Sequence, residues 1–287
     1  MELIKQLNVT VDIGSVPPNC KTINVALQFP LQDGSFLVRN IEPHLLQFGV
    51  KYAKDRLICG HNADFMHDEK FDEATRLANE QNRRIAAHNM FDAKSWNYYV
   101  CCWAACHTLN LPGDFVECGV NTGILSRTVM HYTDFNSTGK TFYLCDTFTG
   151  IPEEQVTQRE KTFFNRVGAD GVRHHNTEYY TRDIYEDMLR EMKGFNVKLI
   201  RGKVPETLSQ VDTDKVCFLS IDMNIEAPEI AAADYFWDKM VKGGMIIIDD
   251  YGWDWHLPQK EAFDEFAKKM CVKILPLPTG QGLIIKP

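Results

Sequence analysis

The stretch Ile246-Ile247-Ile248-Asp249-Asp250-Tyr251-Gly252 decides the fold, because an unbroken apolar run ends abruptly in two adjacent carboxylates. A second apolar run, 216–221, ends in the same way at Asp222. Runs without polar alternation are typical of parallel strands that helices cover on both faces. Ligands of such sheets bind beyond the carboxyl ends of the strands. Because three carboxylates at one edge repel one another, we expect a divalent metal ion among Asp222, Asp249 and Asp250.

The bulk composition excludes several classes of protein. The chain has 287 residues, 44% of them hydrophobic, and a formal net charge of −8. This length suits one large domain or a core domain with an appendage. The negative charge and the lack of a basic run argue against a nucleic-acid binder. The apolar runs fall far short of the ~20 residues that cross a bilayer, and the first residues lack a secretory signal pattern. We therefore expect a cytoplasmic protein without membrane or nucleic-acid partners, and a homo-oligomer is left open.

The order of strand-like and helix-like segments predicts three parts. Residues 1–65 contain two short strand-like runs around a Gln-Asp-Gly turn signal, which predicts an N-terminal appendage with a hairpin. Residues 66–111 are rich in helix formers and predict a helical connector. Strands and helices alternate in 112–287, where Gly243-Gly244 is interpreted as the turn between a helix and the strand at 245–248. This alternation predicts an α/β fold with a doubly wound, mostly parallel sheet.

The first motif is Val-Glu-Cys-Gly-Val-Asn-Thr-Gly at 116–123, which indicates a strand, a glycine-bearing turn and the start of a helix. Glycines let the backbone approach a ligand closely, and the N–H groups of a helix start attract an anion. The G-x-x-x-G spacing differs from the G-x-G-x-x-G of dinucleotide sites. Many α/β proteins carry glycine here only for a tight connection, so both interpretations stay open.

The second motif, 144–152, places Asp146 at the end of a strand. An acidic residue there is well placed to accept hydrogen bonds from the ribose hydroxyls of a nucleoside. Phe148 is expected to pack near the same site. The alternative is that Asp146 only caps the next helix.

Together these blocks resemble the macrocin-type O-methyltransferases, a family whose members methylate sugar hydroxyls of antibiotics. The resemblance rests on five blocks in order: Glu117-Cys118-Gly119-Val120, Asp146-x-Phe148-x-Gly150-Ile151-Pro152, Gly202-x-x-Pro205-x-Thr207-Leu208, Asp222, and Asp249-Asp250-Tyr251-Gly252. It covers 112–287, and 1–65 lie outside it. It implies a class I methyltransferase fold with a Rossmann-like, seven-stranded sheet, S-adenosylmethionine as the methyl donor, and Mg²⁺ or a similar divalent cation.

The resemblance also implies roles for individual residues. The donor site would comprise Glu117, Gly119, Val120, Asp146, Thr147, Phe148, Gly202 and Lys203. Within it, Asp146 would contact the ribose, and Gly202 and Lys203 would border the adenine. The metal ligands would be Asp222, Asp249 and Asp250, and carboxylate oxygens independently suit Mg²⁺.

One departure from the family concerns the general base. Its members commonly carry a second acid two residues after the strand-end aspartate, where this chain has Asn224. An amide orients a hydroxyl but does not accept a proton as a carboxylate does. Either another base serves or the metal acidifies the acceptor enough by itself. The candidate bases are His174, His175 and His256, since an imidazole suits proton removal near neutral pH. The first two lie in a long polar stretch, 153–195, that is expected to fold over the donor.

The sequence thus predicts a metal-assisted, S-adenosylmethionine-dependent O-methyltransferase. Its acceptor would be a hydroxyl of a sugar or another small natural product. Two alternatives stay open. A nucleotide-dependent oxidoreductase could use a similar sheet, although the missing G-x-G-x-x-G counts against it. A non-catalytic donor-binding or interaction protein of the same fold would explain Asn224 as a mark of lost activity.

Overall fold

The computed structural model describes residues 25–30, 36–41, 51–54, 57–86, 92–164, 176 and 182–287. Contacts divide the chain into two units, residues 1–53 with 58–63, and residues 54–57 with 64–287. In the first unit, strand β1 (Val25–Pro30) pairs antiparallel with β2 (Phe36–Ile41). Both strands coincide with strand-like runs of the sequence. Strands β3 (Tyr52–Lys54) and β4 (Leu57–Cys59) form another two-stranded sheet.

A seven-stranded sheet forms the framework of the second unit. Its strands are β5 (Asp114–Cys118), β6 (Phe142–Asp146), β7 (Val197–Arg201), β8 (Val216–Ile221), β9 (Met240–Ile248), β10 (Leu275–Pro276) and β11 (Gly282–Ile285). Their order is β10-β11-β9-β8-β5-β6-β7. The five strands from β5 to β9 pair in parallel, and β11 and β10 add an antiparallel edge. The predicted mostly parallel α/β sheet is confirmed.

Helices cover both faces of this sheet. The α-helices in the described ranges are α1 (Glu69–Ile85), α2 (Trp96–Thr108), α3 (Ile124–Thr133), α4 (Gln158–Phe164), α5 (Tyr185–Glu191), α6 (Glu226–Trp237) and α7 (Leu257–Lys269). Neighbouring strand residues alternate between two hydrophobic clusters, so that Phe115 belongs to one and Val116 to the other. Since side chains of a strand point to opposite faces in turn, both faces are buried. The strands therefore need no polar residue in alternate positions.

The predicted turn at Gly243-Gly244 was wrong. Both glycines lie inside β9, which begins already at Met240. The register of β9 against β8 shifts within this segment, and Gly243 has a φ of 80°. Glycine absorbs such an irregularity at no steric cost. The preceding helix, which the sequence predicts over 228–241, ends at Trp237, because Met240 and Val241 already belong to β9.

The strand order fixes where a ligand can bind. From β5 the chain continues to β6 on one side, whereas β8 lies on the other side of β5. The carboxyl ends of β5 and β8 therefore flank the point at which the winding of the sheet reverses, which is where open α/β sheets bind ligands. Among the residues that the structure describes, no helix has the length and apolar character needed to cross a membrane.

Candidate active site

A cleft of about 410 Å³, counting space open to solvent, lies at these strand ends. Six of the predicted site residues line it, namely Gly119, Asp146, Thr147, Gly202, Lys203 and Asp222. Gly150, Ile151 and Pro152, which belong to the second block of the resemblance, line it as well. The sequence analysis did not single out the remaining lining residues, which are Cys145, Gln155, Val204, Met223, Ile225 and Pro228. Strand ends thus supply the polar groups, and the following loops supply most of the apolar surface.

Gly119 is required by the close approach of β5 and β8. It has a φ of 87°, and a Cβ at this position would lie 1.8 Å from the carbonyl oxygen of Asp222. The Asp222 N–H donates to the carbonyl oxygen of Cys118 at 2.8 Å, which fixes the two strand ends together. The glycine turn therefore owes its tightness to strand packing, as the alternative interpretation of this motif proposed.

Asp146 organises the same turn through its carboxylate. One oxygen accepts hydrogen bonds from the N–H groups of Val120 (2.6 Å) and Asn121 (2.8 Å), and the other accepts from the N–H of Phe148 (2.6 Å). Burial raises the pKa of Asp146, although these three hydrogen bonds act in the opposite direction. The ring of Phe148 is fully buried and packs against Tyr185, with the centroids 5.4 Å apart.

The carboxyl group of Glu117 lies below this turn and is almost completely buried. Burial raises its pKa to about 8. Its Oε2 has no hydrogen-bond partner, and neither has Oδ1 of Asn121 in the turn itself. Val120 is also buried. Two hydrogen-bond acceptors without partners thus lie at one turn, close to the predicted donor site.

Arg127 is a buried charge that the sequence analysis missed. It lies in the first turns of α3, is completely buried, and none of its three guanidinium nitrogens has a hydrogen-bond partner. Burial lowers its pKa to about 10, while the nearby Glu191 and Glu117 act against that shift. No sequence signal marks it, because an arginine in a helix is usually exposed.

The three predicted metal ligands follow two neighbouring strands. Ile221 of β8 pairs with Ile248 of β9, so that Asp222 and Asp249 emerge side by side, with Asp250 next in the chain. Burial and the charges of Asp249 and Asp250 raise the pKa of Asp222 well above its ordinary value. Asp222 and Asp249 therefore lie at the same edge of the sheet.

Each of these carboxylates has a different environment. Asn224 donates from Nδ2 to Oδ1 of Asp222 at 3.1 Å, and Gln281 donates from Nε2 to Oδ1 of Asp249 at 3.0 Å. Oδ2 of Asp250 is buried and has no hydrogen-bond partner. Within the described ranges, no three His, Cys, Asp or Glu side chains are grouped so that they could hold a metal ion. The oxygen-rich set suits a hard cation chemically, and the Asp250 oxygen is available to one.

His256 is the one candidate base whose position is described, since His174 and His175 lie outside the described residues. Its Nε2 lies 3.6 Å from Oδ2 of Asp250, and its Nδ1 lies 2.8 Å from Oε1 of Gln259. Gln259 is buried and donates from Nε2 to Oε1 of Glu229 at 3.2 Å. Burial and the charge of Asp250 raise the pKa of Glu229 to about 8. A hydrogen-bonded chain therefore ends beside the aspartate pair.

The aromatic residues Tyr251 and Trp253, which follow the aspartate pair, contact other residues of the second unit. Tyr251 is buried and donates from its hydroxyl to Oδ1 of Asp264 at 2.6 Å. The indole of Trp253 lies over Gly280, where a Cβ would come within 2.5 Å of Nε1. The side chain of Trp255 lies outside the described part of the structure. The contacts of Tyr251 and Trp253 account for these rings as packing groups.

Comparison with known proteins agrees with this arrangement. The model of the family described as macrocin-O-methyltransferase (TylF) matches residues 45–274. The chain is also similar to the 8-demethyl-8-(2,3-dimethoxy-alpha-L-rhamnosyl)-tetracenomycin-C 4'-O-methyltransferase of Streptomyces olivaceus. The two are 24% identical over 199 residues, which make up 66% of this chain and 72% of that protein.

Two solved structures share the fold. The O-methyltransferase NovP superposes with a TM-score of 0.57 at 18% identity, covering 74% of this chain and 99% of NovP. The calicheamicin methyltransferase CalS11 superposes with a TM-score of 0.54 at 17% identity, covering 78% of this chain and 94% of CalS11. These similarities confirm the predicted class I methyltransferase fold.

Proposed function

This chain belongs to the macrocin O-methyltransferase family. From that premise we propose that it transfers a methyl group from S-adenosylmethionine to a hydroxyl of a sugar or another small natural product. We propose that Mg²⁺ or a similar cation assists the transfer. One observation carries the proposal: the ends of four adjacent parallel strands bring Glu117, Asp146, Asp222 and the Asp249-Asp250 pair to one rim. Membership of this family argues against the oxidoreductase and the non-catalytic alternatives.

Residues of the cleft, together with Glu117 and Asn121 at the turn after β5, fit S-adenosylmethionine. Its ammonium group suits the partnerless oxygens Glu117 Oε2 and Asn121 Oδ1, since buried acceptors gain most from a charged donor. The apolar side chains of Ile151 and Ile225 line the cleft near Lys203 and suit a purine ring. When bound, the donor supplies an electrophilic methyl group, so no side chain needs to form a covalent bond to the substrate.

The chemistry of the aspartates supports a divalent cation. Their oxygens are hard ligands, the Oδ2 of Asp250 has no hydrogen-bond partner, and the pKa of Asp222 is raised by its carboxylate neighbours. When bound, the cation would supply positive charge for an acceptor oxygen. Asn224 and Gln281 would orient two of the carboxylates through the hydrogen bonds that they already donate.

We propose His256 as the group that removes the proton from the acceptor. Asn224 stands where the family commonly carries an acid, and its amide is used in the hydrogen bond to Asp222. The His256 ring is mostly buried and reaches the aspartate pair through Nε2. A proton taken up on Nε2 would lie on the side of the Asp250 carboxylate, whose Oδ2 is 3.6 Å from Nε2. Alignment of the reacting groups would supply the rest of the rate.

A sugar hydroxyl is the acceptor that the relatives suggest. The Streptomyces olivaceus relative is named as a 4'-O-methyltransferase of a rhamnosylated tetracenomycin. We propose the same chemical class of acceptor, a deoxysugar with a free hydroxyl, for this chain.

Two measurements test the proposal. Calorimetric titration of the protein with S-adenosylhomocysteine is expected to show binding at one site. Incubation with S-adenosylmethionine labelled in its methyl group and a panel of rhamnosylated polyketides is expected to give labelled sugar ethers, with a lower yield after EDTA treatment. Failure to bind either form of the donor would refute the proposed function.

Matched variants separate the metal from the donor. Asp222→Asn is expected to lower the Mg²⁺ response and turnover while the protein stays folded. Asp234→Asn changes an exposed aspartate that pairs with Lys269 at 2.7 Å, and it is expected to leave both unchanged. Equal behaviour of the two variants would show that Asp222 is not a metal ligand.

A further inference from the structure

A chain of buried hydrogen bonds runs from the end of β8 to His256. The backbone N–H of Met223 donates to Oε1 of Glu229 at 2.9 Å. Nε2 of Gln259 donates to the same oxygen at 3.2 Å. Oε1 of Gln259 in turn lies 2.8 Å from Nδ1 of His256. Three separate segments, the turn after β8 and the first turns of α6 and α7, therefore meet in one chain.

The direction of every hydrogen bond in this series follows from the first one, which the backbone N–H of Met223 donates to Glu229. A backbone N–H only donates, so the Glu229 atom that faces Met223 must accept. That atom also faces Gln259, which therefore presents its NH₂ group to Glu229 and its oxygen to His256. An amide oxygen only accepts, so the hydrogen of a neutral His256 ring lies on Nδ1 and the lone pair on Nε2.

A protonated Glu229 does not reverse this direction. Its Oε2 has no hydrogen-bond partner, whereas Oε1 already accepts from Met223 and Gln259. A carbonyl oxygen accepts better than a hydroxyl oxygen, so a proton on this carboxyl belongs on Oε2. The direction of these hydrogen bonds is thus the same whether Glu229 is charged or neutral.

We infer that Glu229 and Gln259 are positioning residues, which fix the ring of His256 with its hydrogen on Nδ1 and its Nε2 lone pair on the side of Asp250. Both are almost completely buried, with exposed fractions of 1% and 2%, so solvent does not compete for their hydrogen bonds. The value of this arrangement for catalysis rests on the proposed function, because it matters only if His256 removes a proton.

The tautomer of His256 is the direct test. The full-length protein, labelled with ¹⁵N-histidine, is examined without ligands at about pH 8.5 by long-range ¹H–¹⁵N correlation, and His256→Gln assigns the signals. The expected spectrum has a pyrrole-type Nδ1 and a pyridine-type Nε2. A hydrogen found on Nε2 in the wild-type protein would overturn the inference.

Substitutions of Glu229 and Gln259 show whether these two residues determine the tautomer of His256. Gln259→Leu and Glu229→Leu are expected to shift the ring towards the form with the hydrogen on Nε2. Glu229→Gln is expected to keep it on Nδ1, because the atom that faces both Met223 and Gln259 must still be an oxygen. Glu226→Leu, in the same turn of α6 but outside the chain, is the matched control and is expected to change nothing.

An unchanged tautomer in both leucine variants would refute the positioning role. If the leucine variants do not fold, the wild-type protein and Glu229→Gln still decide the matter, since both must carry the hydrogen on Nδ1. Titration of the same wild-type sample with S-adenosylhomocysteine gives a separate answer on the proposed function. A protein that fails to bind it but shows the expected tautomer would retain the inference and lose the methyltransferase proposal.

Discussion

Replacing Glu117 by glutamine is expected to remove a pH-dependent cost of folding. The carboxyl group is 2% exposed, and burial raises its pKa from an ordinary value of 4.5 to about 8. Between these two pH values the unfolded chain loses a proton that the folded protein keeps. The group's contribution to stability is therefore complete below about pH 4.5 and is lost as the pH rises towards 8. Glutamine cannot ionise, so the variant lacks this loss.

The size of the effect follows from the two pKa values. With 4.5 for the unfolded and about 8 for the folded state, linkage gives a loss of about 2.5 kcal/mol in the wild-type free energy of unfolding between pH 5 and pH 7. Full burial means that solvent screening takes away little of this. The difference between variant and wild type cancels the titration of groups whose pKa does not depend on Glu117, among them Glu229.

Urea unfolding at several pH values, followed by tryptophan fluorescence, measures the difference. The side chain of Glu117 also forms a hydrogen bond with Ser126, and its loss would shift the stability of the variant by a constant amount. The free energy of unfolding of Glu117→Gln should rise steadily relative to that of the wild type from pH 5 to pH 7. Glu206→Gln changes an exposed glutamate and should show a flat difference. A flat difference for Glu117→Gln as well would refute the argument, because it would mean that the buried carboxyl ionises at its ordinary pH.

Three further substitutions test other parts of the structure. Arg127→Met is expected to raise the free energy of unfolding in urea titrations, since its buried guanidinium makes no hydrogen bond. A lower free energy of unfolding would show that a nearby charge compensates the guanidinium. Gly119→Ala should lower the melting temperature strongly, because its Cβ would lie 1.8 Å from a backbone oxygen. Gly139 has a φ of 72°, and nothing lies within 4 Å of an added Cβ. Gly139→Ala should therefore lower the free energy of unfolding by only about 1–2 kcal/mol. Gln281→Leu should weaken calorimetric Mg²⁺ binding about 10-fold or more, because its amide holds a proposed ligand; unchanged affinity would count against that ligand.

The sheet could be predicted because its strands are continuous apolar runs. The run 216–221 was predicted with the bounds that β8 has, since burial on both faces makes each residue apolar. The segment around Gly243 could not be predicted in the same way. A glycine pair indicates a turn when only its neighbours in sequence are considered, but the register shift between β9 and β8 is a property of two strands together.

The site could be predicted only where strand ends define it. Asp146, Asp222 and the aspartates after β9 follow directly from the position of each residue after an apolar run. Gln281 and Glu229 could not be found in this way, because their partners lie 32 and 30 residues away in the chain. Gln259 left one weak signal, its spacing of three residues from His256 across the start of a helix. Side chains that orient others thus depend on packing that no local pattern shows.

The carboxyl groups of this rim explain why it should prefer positively charged ligands. Burial raises the pKa of Glu117, Asp222 and Glu229, and for Asp222 the charges of Asp249 and Asp250 raise it further. At neutral pH the protein without ligand therefore keeps protons on Glu117 and Glu229, whose pKa is about 8, although both are ionised in the unfolded chain, and this costs stability. A cationic ligand favours the ionised carboxylates and displaces those protons. Because linkage is reciprocal, the affinity for such a ligand must rise with pH over the same interval in which the unliganded fold is weakened.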